Sequence, residues 1–359
     1  MSVTTTTRSA APEHRTVWQR WPLLGYLLRR LGTSVLLLLG VTLVTFILTT
    51  LVPGDPIAAA LGEGAASNPA TVAAYEERYG LDRSVPERYA IYLGHLLQGD
   101  LGTSIQTGRP VLEDLAAAIP ATVEVALGAI LVSLAVGLVL GTLAAHRRGK
   151  VTDQVVRVVS LLGLSVPTFW LAITAYHLFF LRLGIAPGAG RLSPQLTPPP
   201  RVTGLYSVDF ILNGDPVGFF DAMAHLALPV LVLSLFTIGL LTRFIRTSVL
   251  EVLDTDYVRA ARAKGLRSRR VIAGYVLRGA SLPILTMVGI TFGILLSGTV
   301  LVEAVFAWPG LGTYAFNAAV ALDLPGVMGV GLVVGVIYLV INFVVDLLYG
   351  VLDPRVRLS

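Results

Sequence analysis

The chain has 359 residues, of which 54% are hydrophobic and only 14% charged, with a mean hydropathy of +0.75. Soluble domains carry about 25% charged residues, so an ordinary soluble globule is excluded. Cysteine is absent, which excludes a disulfide framework and a thiolate metal site. A formal net charge of +5 suits either a nucleic-acid partner or a membrane protein with its basic loops on one side.

A bilayer-spanning helix needs about 20 apolar residues. Windows 31–54, 125–146, 158–181, 222–242, 279–302 and 324–345 lack Asp, Glu, Lys and Arg, and each is rich in Leu, Val, Ile and Ala. They predict an all-α integral membrane protein with six transmembrane helices. Residues 1–26 form an N-terminal tail whose start, Thr4 to Thr7, reads as disordered. Residues 27–359 form the membrane body. The first window follows Arg29-Arg30 and precedes Ala58-Ala59-Ala60. It is nevertheless longer than the apolar core of a signal peptide, about 7–15 residues, so it reads as a retained span.

Gly54-Asp55-Pro56 opens a long loop, 55–118, with turn chemistry. Within it, 70–79 reads as a helix capped by Gly80. Residues 86–97 carry Tyr89, Leu93, Leu96 and Leu97 at helical spacing. Gly99-Asp100-Leu101-Gly102 is a tight turn. This loop is either a small cap on the membrane face or a docking surface for an outside partner. A later loop, 183–221, is rich in Pro and Gly, contains Pro198-Pro199-Pro200, and reads as irregular or extended.

Loop 243–278 is the most informative segment. The fourth span continues to Leu253, and Asp254-Thr255-Asp256 offers N-cap groups. A short helix from Tyr257 to Lys264 follows, with small residues Ala260, Ala261 and Ala263. Arg262 and Lys264 complement its dipole at the last turn. Gly265 suits a left-handed C′ position, Leu266 the accompanying apolar contact, and Ser268 the cap of the next helix. The segment is either a basic structural linker or a small knob for another protein's groove.

A further uncharged stretch, 304–322, contains Trp308-Pro309-Gly310-Leu311-Gly312. Proline and paired glycines break a helix, so the stretch reads as re-entrant or interfacial rather than as a seventh span. Six spans put both termini on one side. The segments 1–30, 146–157, 243–278 and 351–359 hold 20 of the Lys and Arg residues, and the opposite loops hold seven. The positive-inside rule then puts both termini in the cytoplasm and accounts for the basic charge without nucleic acid.

The sequence contains no phosphate-binding G-x-x-x-x-G-K-[ST] loop and no H-E-x-x-H. The windows hold three ionisable side chains, His146, His177 and His225, which read as packing residues. Carboxylates are missing there, which argues against a proton-coupled carrier. A membrane-embedded enzyme would need a nucleophile–base pair or metal ligands, and the spans offer only scattered Ser, Thr and His. Asp346, near the inner end of the last span, reads as locally paired. Energy for any pumping must come from a partner.

The segment Asp256-Tyr257-Val258-Arg259-Ala260-Ala261-Arg262-Ala263-Lys264-Gly265-Leu266 resembles the coupling-loop signature of inner-membrane permeases in bacterial ABC importers, in the subfamily for dipeptides, oligopeptides, nickel and glutathione. The general signature is Glu-Ala-Ala, three residues, then Gly. Arg259 replaces the Glu, while Ala260, Ala261 and Gly265 match. Gly99-Asp100-Leu101-Gly102-Thr103-Ser104 resembles the subfamily's external-loop motif. So do Pro167-Thr168-Phe169-Trp170 and His225-Leu226-Ala227-Leu228-Pro229 in the third and fourth spans, the stretch Glu303 to Gly312 after the fifth, and Asp353-Pro354-Arg355-Val356-Arg357 at the end.

This resemblance, from about Leu27 to Arg357, implies the type I ABC importer permease fold and the first permease subunit type. It implies a non-catalytic membrane subunit in the bacterial inner membrane, importing di- or oligopeptides, or alternatively nickel, glutathione or haem. The implied partners are a second homologous permease, two cytoplasmic ATPases, an external solute-binding lipoprotein and membrane lipid, with no nucleic acid. This chain would bind no cofactor or metal; ATP and Mg would sit on the ATPases. Asp256, Tyr257, Arg259, Ala260, Ala261, Lys264, Gly265 and Leu266 would couple to an ATPase. Gly99, Asp100 and Gly102 would shape an external docking turn. Phe169, Trp170, Gly293, Ser297, Glu303 and Phe306 would line or gate the pathway.

Overall fold

The structure is a computed structural model that describes residues 22–51, 68–80 and 82–352. The Thr4–Thr7 tail, the Gly54-Asp55-Pro56 turn and the 353–357 motif lie outside the described residues. Its helices are α1 (Pro22–Leu51), α2 (Pro69–Tyr79), α3 (Val85–Leu97), α4 (Val111–His146) and α5 (Val151–Ser165). Then come α6 (Thr168–Arg182), α7 (Tyr206–Leu212), α8 (Pro216–Leu253), α9 (Asp256–Ala263) and α10 (Ser268–Gly298). The chain ends with α11 (Val300–Val305), α12 (Leu311–Val320) and α13 (Leu324–Leu352). Among the described residues the one β contact is a bridge between Thr103 and Pro110.

The centre is a parallel pair, α4 and α8, brought close by glycine. A Cβ at Gly128 would lie 2.7 Å from Val230, one at Gly137 3.2 Å from Leu241, and one at Gly141 2.9 Å from Ile245. Lipid supplies no hydrophobic drive between helices, so close backbone approach and polar contacts do the holding. Between these glycines the buried Ser133 hydroxyl hydrogen-bonds Thr237. α5 runs antiparallel to α8. A Cβ at Gly239 would sit 2.5 Å from the Ser160 carbonyl oxygen, and one at Gly163 2.9 Å from that of Leu235.

The remaining spans add outward. α10 lies antiparallel to α13, with Gly289 against Val345 and Gly293 against Tyr338. α1 lies antiparallel to α13, with Thr45 against Gly331 and Arg30 paired with Asp346. Asp346 therefore pairs across helices, not locally as the sequence suggests. Successive long elements alternate in direction, and the first starts where the last ends.

Four boundaries differ from the sequence reading. α4 begins at Val111, well before 125, because the charges that closed the window, Asp114 and Glu124, are buried and paired. α8 begins at Pro216, where Asp215 accepts from the Gly218 N–H at 3.0 Å. The third window is broken: α5 and α6 meet at 90°. Pro167 disfavours helical backbone at Val166, which is extended at φ −85°, ψ 124°. Among the described residues five helices are long and apolar enough to cross a membrane, and six if the broken pair is one span. Finally, loop 183–221 holds α7 and is not wholly irregular. Burial pushes the Asp209 carboxyl up, but the Thr203 hydroxyl and the N–H groups of Thr203, Gly204 and Val202 outweigh it and hold it below its ordinary value.

The stretch 304–322 does not span. It folds as α12, a ten-residue helix between two turns. Replacing Gly239 by Leu forces a side chain onto the α5 backbone, where no neighbour can rotate away. Overpacking of this kind costs about 1–3 kcal/mol. Gly239→Leu is expected to lower the thermal unfolding temperature of the detergent-purified protein, whereas Gly298→Leu, with nothing within 4 Å of its Cβ position, leaves it unchanged.

Candidate functional site

At one end of the bundle α9 is held between the ends of α8 and α10. The α8 helix stops at Leu253, and the Thr255 hydroxyl bonds back to the Val252 carbonyl at 2.6 Å instead of capping α9. At its far end, the Gly265 N–H reaches the Arg262 carbonyl at 2.9 Å and the Leu266 N–H that of Ala261 at 3.4 Å. That is a complete Schellman cap, and it needs the left-handed φ of 74° that Gly265 adopts. Leu266 then packs on the main core. The next helix is entered through Arg267, with Ser268 as its first residue rather than its cap.

The cap fixes which face of α9 points where. Val258 and Ala261 are buried in this chain's own core, so Ala261 is not part of a free contact surface. Tyr257 leans on α10: a Cβ at Gly279 would lie 2.3 Å from its hydroxyl. Asp256 pairs with Arg259. Arg259, Ala260, Arg262, Ala263, Lys264 and Gly265 remain exposed. Beside them a cleft of about 310 Å³ is lined by His146, Arg148, Asp254 and Arg262.

At the opposite end a buried polar knot ties the loops to α4. Glu303, 1% exposed, accepts from Thr122 at 2.6 Å, Thr299 at 2.9 Å and the Thr313 N–H at 2.9 Å. Trp308 donates its indole N–H to the Ala121 carbonyl at 2.8 Å, and Phe306 packs edge-on against Tyr176. Glu124 pairs with Arg191 at 2.6 Å and accepts from both the hydroxyl and the N–H of Ser207. The Arg191 guanidinium stacks 3.7 Å from the centre of the Tyr206 ring. Glu303 and Phe306, which the resemblance implies line or gate the pathway, are both buried within this knot. In the neighbouring Gly99–Gly102 turn, Gly99 and Gly102 adopt φ of 78° and 82°, and the Asp100 carboxylate accepts from the Gly102 N–H at 2.8 Å. The Gly102 carbonyl then receives the Val111 N–H, which seats the turn on the start of α4.

Between the two ends, the α5–α6 elbow leaves a recess of about 410 Å³ against the middle of α8 and the end of α10. Ser165, Val166, Thr168, Phe236 and Gly298 line it. Phe169, Trp170 and Ser297 lie nearby on exposed surface, Trp170 being 54% exposed. Gly293 does not join them, since it serves the approach of α10 to α13. Irregular backbone at membrane depth is tolerated only against protein or water.

The family model for the inner-membrane component of binding-protein-dependent transport systems matches residues 137–358, and the model for the N-terminal region of such components matches 23–126. The chain belongs to this family of inner-membrane permeases. It is 44% identical to a probable D,D-dipeptide transport system permease of Escherichia coli K12 over 90% of this chain and 94% of the relative. It is 41% identical to a di/tripeptide transport system permease of Pseudomonas aeruginosa over 93% and 99%, and 38% identical to the E. coli K12 dipeptide permease over 93% and 99%. The inward-facing MetNI methionine ABC transporter matches at 16% identity, 67% of this chain and 97% of that one, with a TM-score of 0.49.

Sequence reading missed the Arg191–Glu124 pair and Asp209 in this permease. The available signal was Glu124 at the edge of window 125–146, since a charge beside an apolar run either ends a helix or finds a buried partner; Asp209 and Arg191 lie at no window edge. If the knot is a latch, removing its acceptor loosens it. Hydrogen bonds to a charged group contribute about 1.5–3 kcal/mol. Glu303→Ala is expected to lower the unfolding temperature of the purified permease clearly. An unchanged temperature with altered transport would instead return Glu303 to the passage.

Proposed function

We propose that this permease forms half of the translocation pathway of an ATP-driven importer of di- and oligopeptides. The observation that carries the substrate class is the trio of relatives named for dipeptide or di/tripeptide transport, each matched along nine-tenths or more of this chain. The other half of the pathway is a second, homologous permease. Two cytoplasmic ATPases hold the ATP and Mg, an external solute-binding lipoprotein delivers the peptide, and this chain binds no cofactor.

The exposed face of α9 is the contact for an ATPase, with Arg259, Ala260, Lys264 and Gly265 outward. Val258, Ala261 and Leu266 fix its register from behind. A short helix capped at a Gly, resting on the ends of two long spans, supports this reading because any displacement of it must be passed to those spans. The Gly99–Gly102 turn belongs to the outer face that meets the binding protein. The elbow recess, with Phe169, Trp170 and Ser297, is the wall of the passage.

In this orientation both termini are cytoplasmic, from the split of 20 basic residues against seven. Single cysteines at Ser84 and Ser207 are expected to react with an impermeant thiol reagent on intact cells, while Ser268→Cys is protected. The opposite pattern would invert the orientation.

Coupling is tested in the reconstituted complex with its binding protein. A peptide panel is expected to stimulate ATP hydrolysis where nickel, glutathione and haem do not. Gly265→Val places a β-branched residue at a φ of 74° and costs about 1–2 kcal/mol. That is small for the bundle and large for the register of an eight-residue helix. The variant should reach the membrane, keep its unfolding temperature within a few degrees, and lose stimulated hydrolysis and uptake together. Wild-type hydrolysis and uptake in this variant would remove α9 from the coupling path.

A further inference from the structure

The outer groove between α5 and α8 is unlike the rest of the lateral surface. It holds a cleft of about 260 Å³ in which Arg157, Arg243 and Arg246 lie together, with Leu161 and Leu164 continuing toward the elbow. Arg157 is the last charge before the uncharged window 158–181, and Arg243 the first after 222–242. Two helices running in opposite directions thus deliver their boundary arginines to one level, where apolar chain gives way to polar.

The three arginines are not equivalent. Arg246 holds the buried Asp153 through two hydrogen bonds, 2.6 and 2.9 Å, and so braces α8 to the start of α5. Arg157 approaches the same carboxylate only at 3.7 Å and is largely exposed. Arg243 makes no ion pair with a described residue. The cleft therefore carries three cationic groups against one carboxylate.

The fitting partner has an anionic oxygen cluster at the level of Arg157 and Arg243, and an apolar extension along Leu161. We infer that the α5–α8 groove binds an anionic phospholipid, its phosphate between Arg157 and Arg243 and an acyl chain along Leu161. Phosphate oxygens accept from guanidinium groups in charge-assisted hydrogen bonds, and basic pockets between transmembrane helices favour anionic headgroups over zwitterionic ones.

The probe is phosphatidylglycerol against phosphatidylcholine of the same chains, titrated into the detergent-purified complex and read by native mass spectrometry. The wild-type complex is expected to retain phosphatidylglycerol about tenfold better. Arg157→Gln with Arg243→Gln should abolish that preference, and Arg269→Gln with Arg270→Gln, which removes equal charge outside the cleft, should keep it. Inorganic phosphate at millimolar concentration should not displace the lipid. No preference in the wild type, equal loss in the two double variants, or displacement by inorganic phosphate would each overturn the assignment. The wild-type comparison needs no variant, so it decides the matter even if the Arg157/Arg243 variant fails to assemble.

Discussion

The structure depends on how closely the backbones of α4 and α8 approach. Lipid gives apolar side chains no reason to leave it for one another, so helix association rests on van der Waals contact and on hydrogen bonds across the seam. Gly128, Gly137 and Gly141 supply the first, and Ser133 with Thr237 the second. Gly163 and Gly239 repeat the device between α5 and α8. With these three helices fixed, every other element has a wall to lean on. α10 and α11 close one side, α13 spans the join, and α1 is attached through α13 and through Tyr89 and Tyr92 of α3.

The outer end uses a different principle. Each buried carboxylate there is expensive to desolvate and is kept only where its oxygens are filled. Glu303 has three donors from three separate segments, and Glu124 has an arginine plus two donors from Ser207. These requirements join loop 183–221, the start of α12 and the body of α4 into one plate. The plate also absorbs strain. Ala307 and Leu322 sit at φ of 47° and 54°, in the C′ position of Schellman caps on α11 and α12, where glycine would be unstrained. Such conformations persist only when the surroundings determine them.

The same two residues show why part of the fold was legible and part was not. Gly265, Gly80, Gly99 and Gly102 announced their left-handed turns because the sequence put glycine where the geometry requires it. Ala307 and Leu322 gave no such notice, because tertiary contacts impose their backbone. The apolar windows located the spans, since hydropathy answers directly to the bilayer. They failed at the starts of α4 and α8, where Glu124 and Asp221 looked like boundaries and are satisfied partners inside the helices instead. The break at Pro167 was present in the sequence as a proline after a β-branched residue, yet a window of hydropathy cannot see a change of direction. For the coupling segment the signature and the cap were both visible. What could not be read was the split between Ala260 and Ala261, because a run of small residues has no polarity to say which side faces the bundle.

Length then constrains how the permease can move. α8 has 38 residues, about 57 Å at 1.5 Å per residue, against an apolar core of about 30 Å. It runs unbroken from the outer loop to the foot of α9, and Asp153 with Arg246 ties α5 to its lower third. Under the proposed coupling role, a displacement of α9 reaches α8 and α10 within one turn of chain and cannot be absorbed along α8 by bending at a loop. Among the described residues the sharp break in a span is the α5–α6 elbow, at 90°. There α5 must follow α8, while α6 is held through Phe306 and Tyr176 to the outer plate. A relative shift of the inner ends against the outer plate is therefore concentrated at Val166 and Pro167, where no helical hydrogen bond has to break. The recess beside them lies level with Leu233 and Phe236, near the middle of α8. Under the proposed role, a passage wall that changes shape near the middle of α8, between that plate and the end that carries α9, is what alternating exposure of a solute to the two sides would demand of this chain.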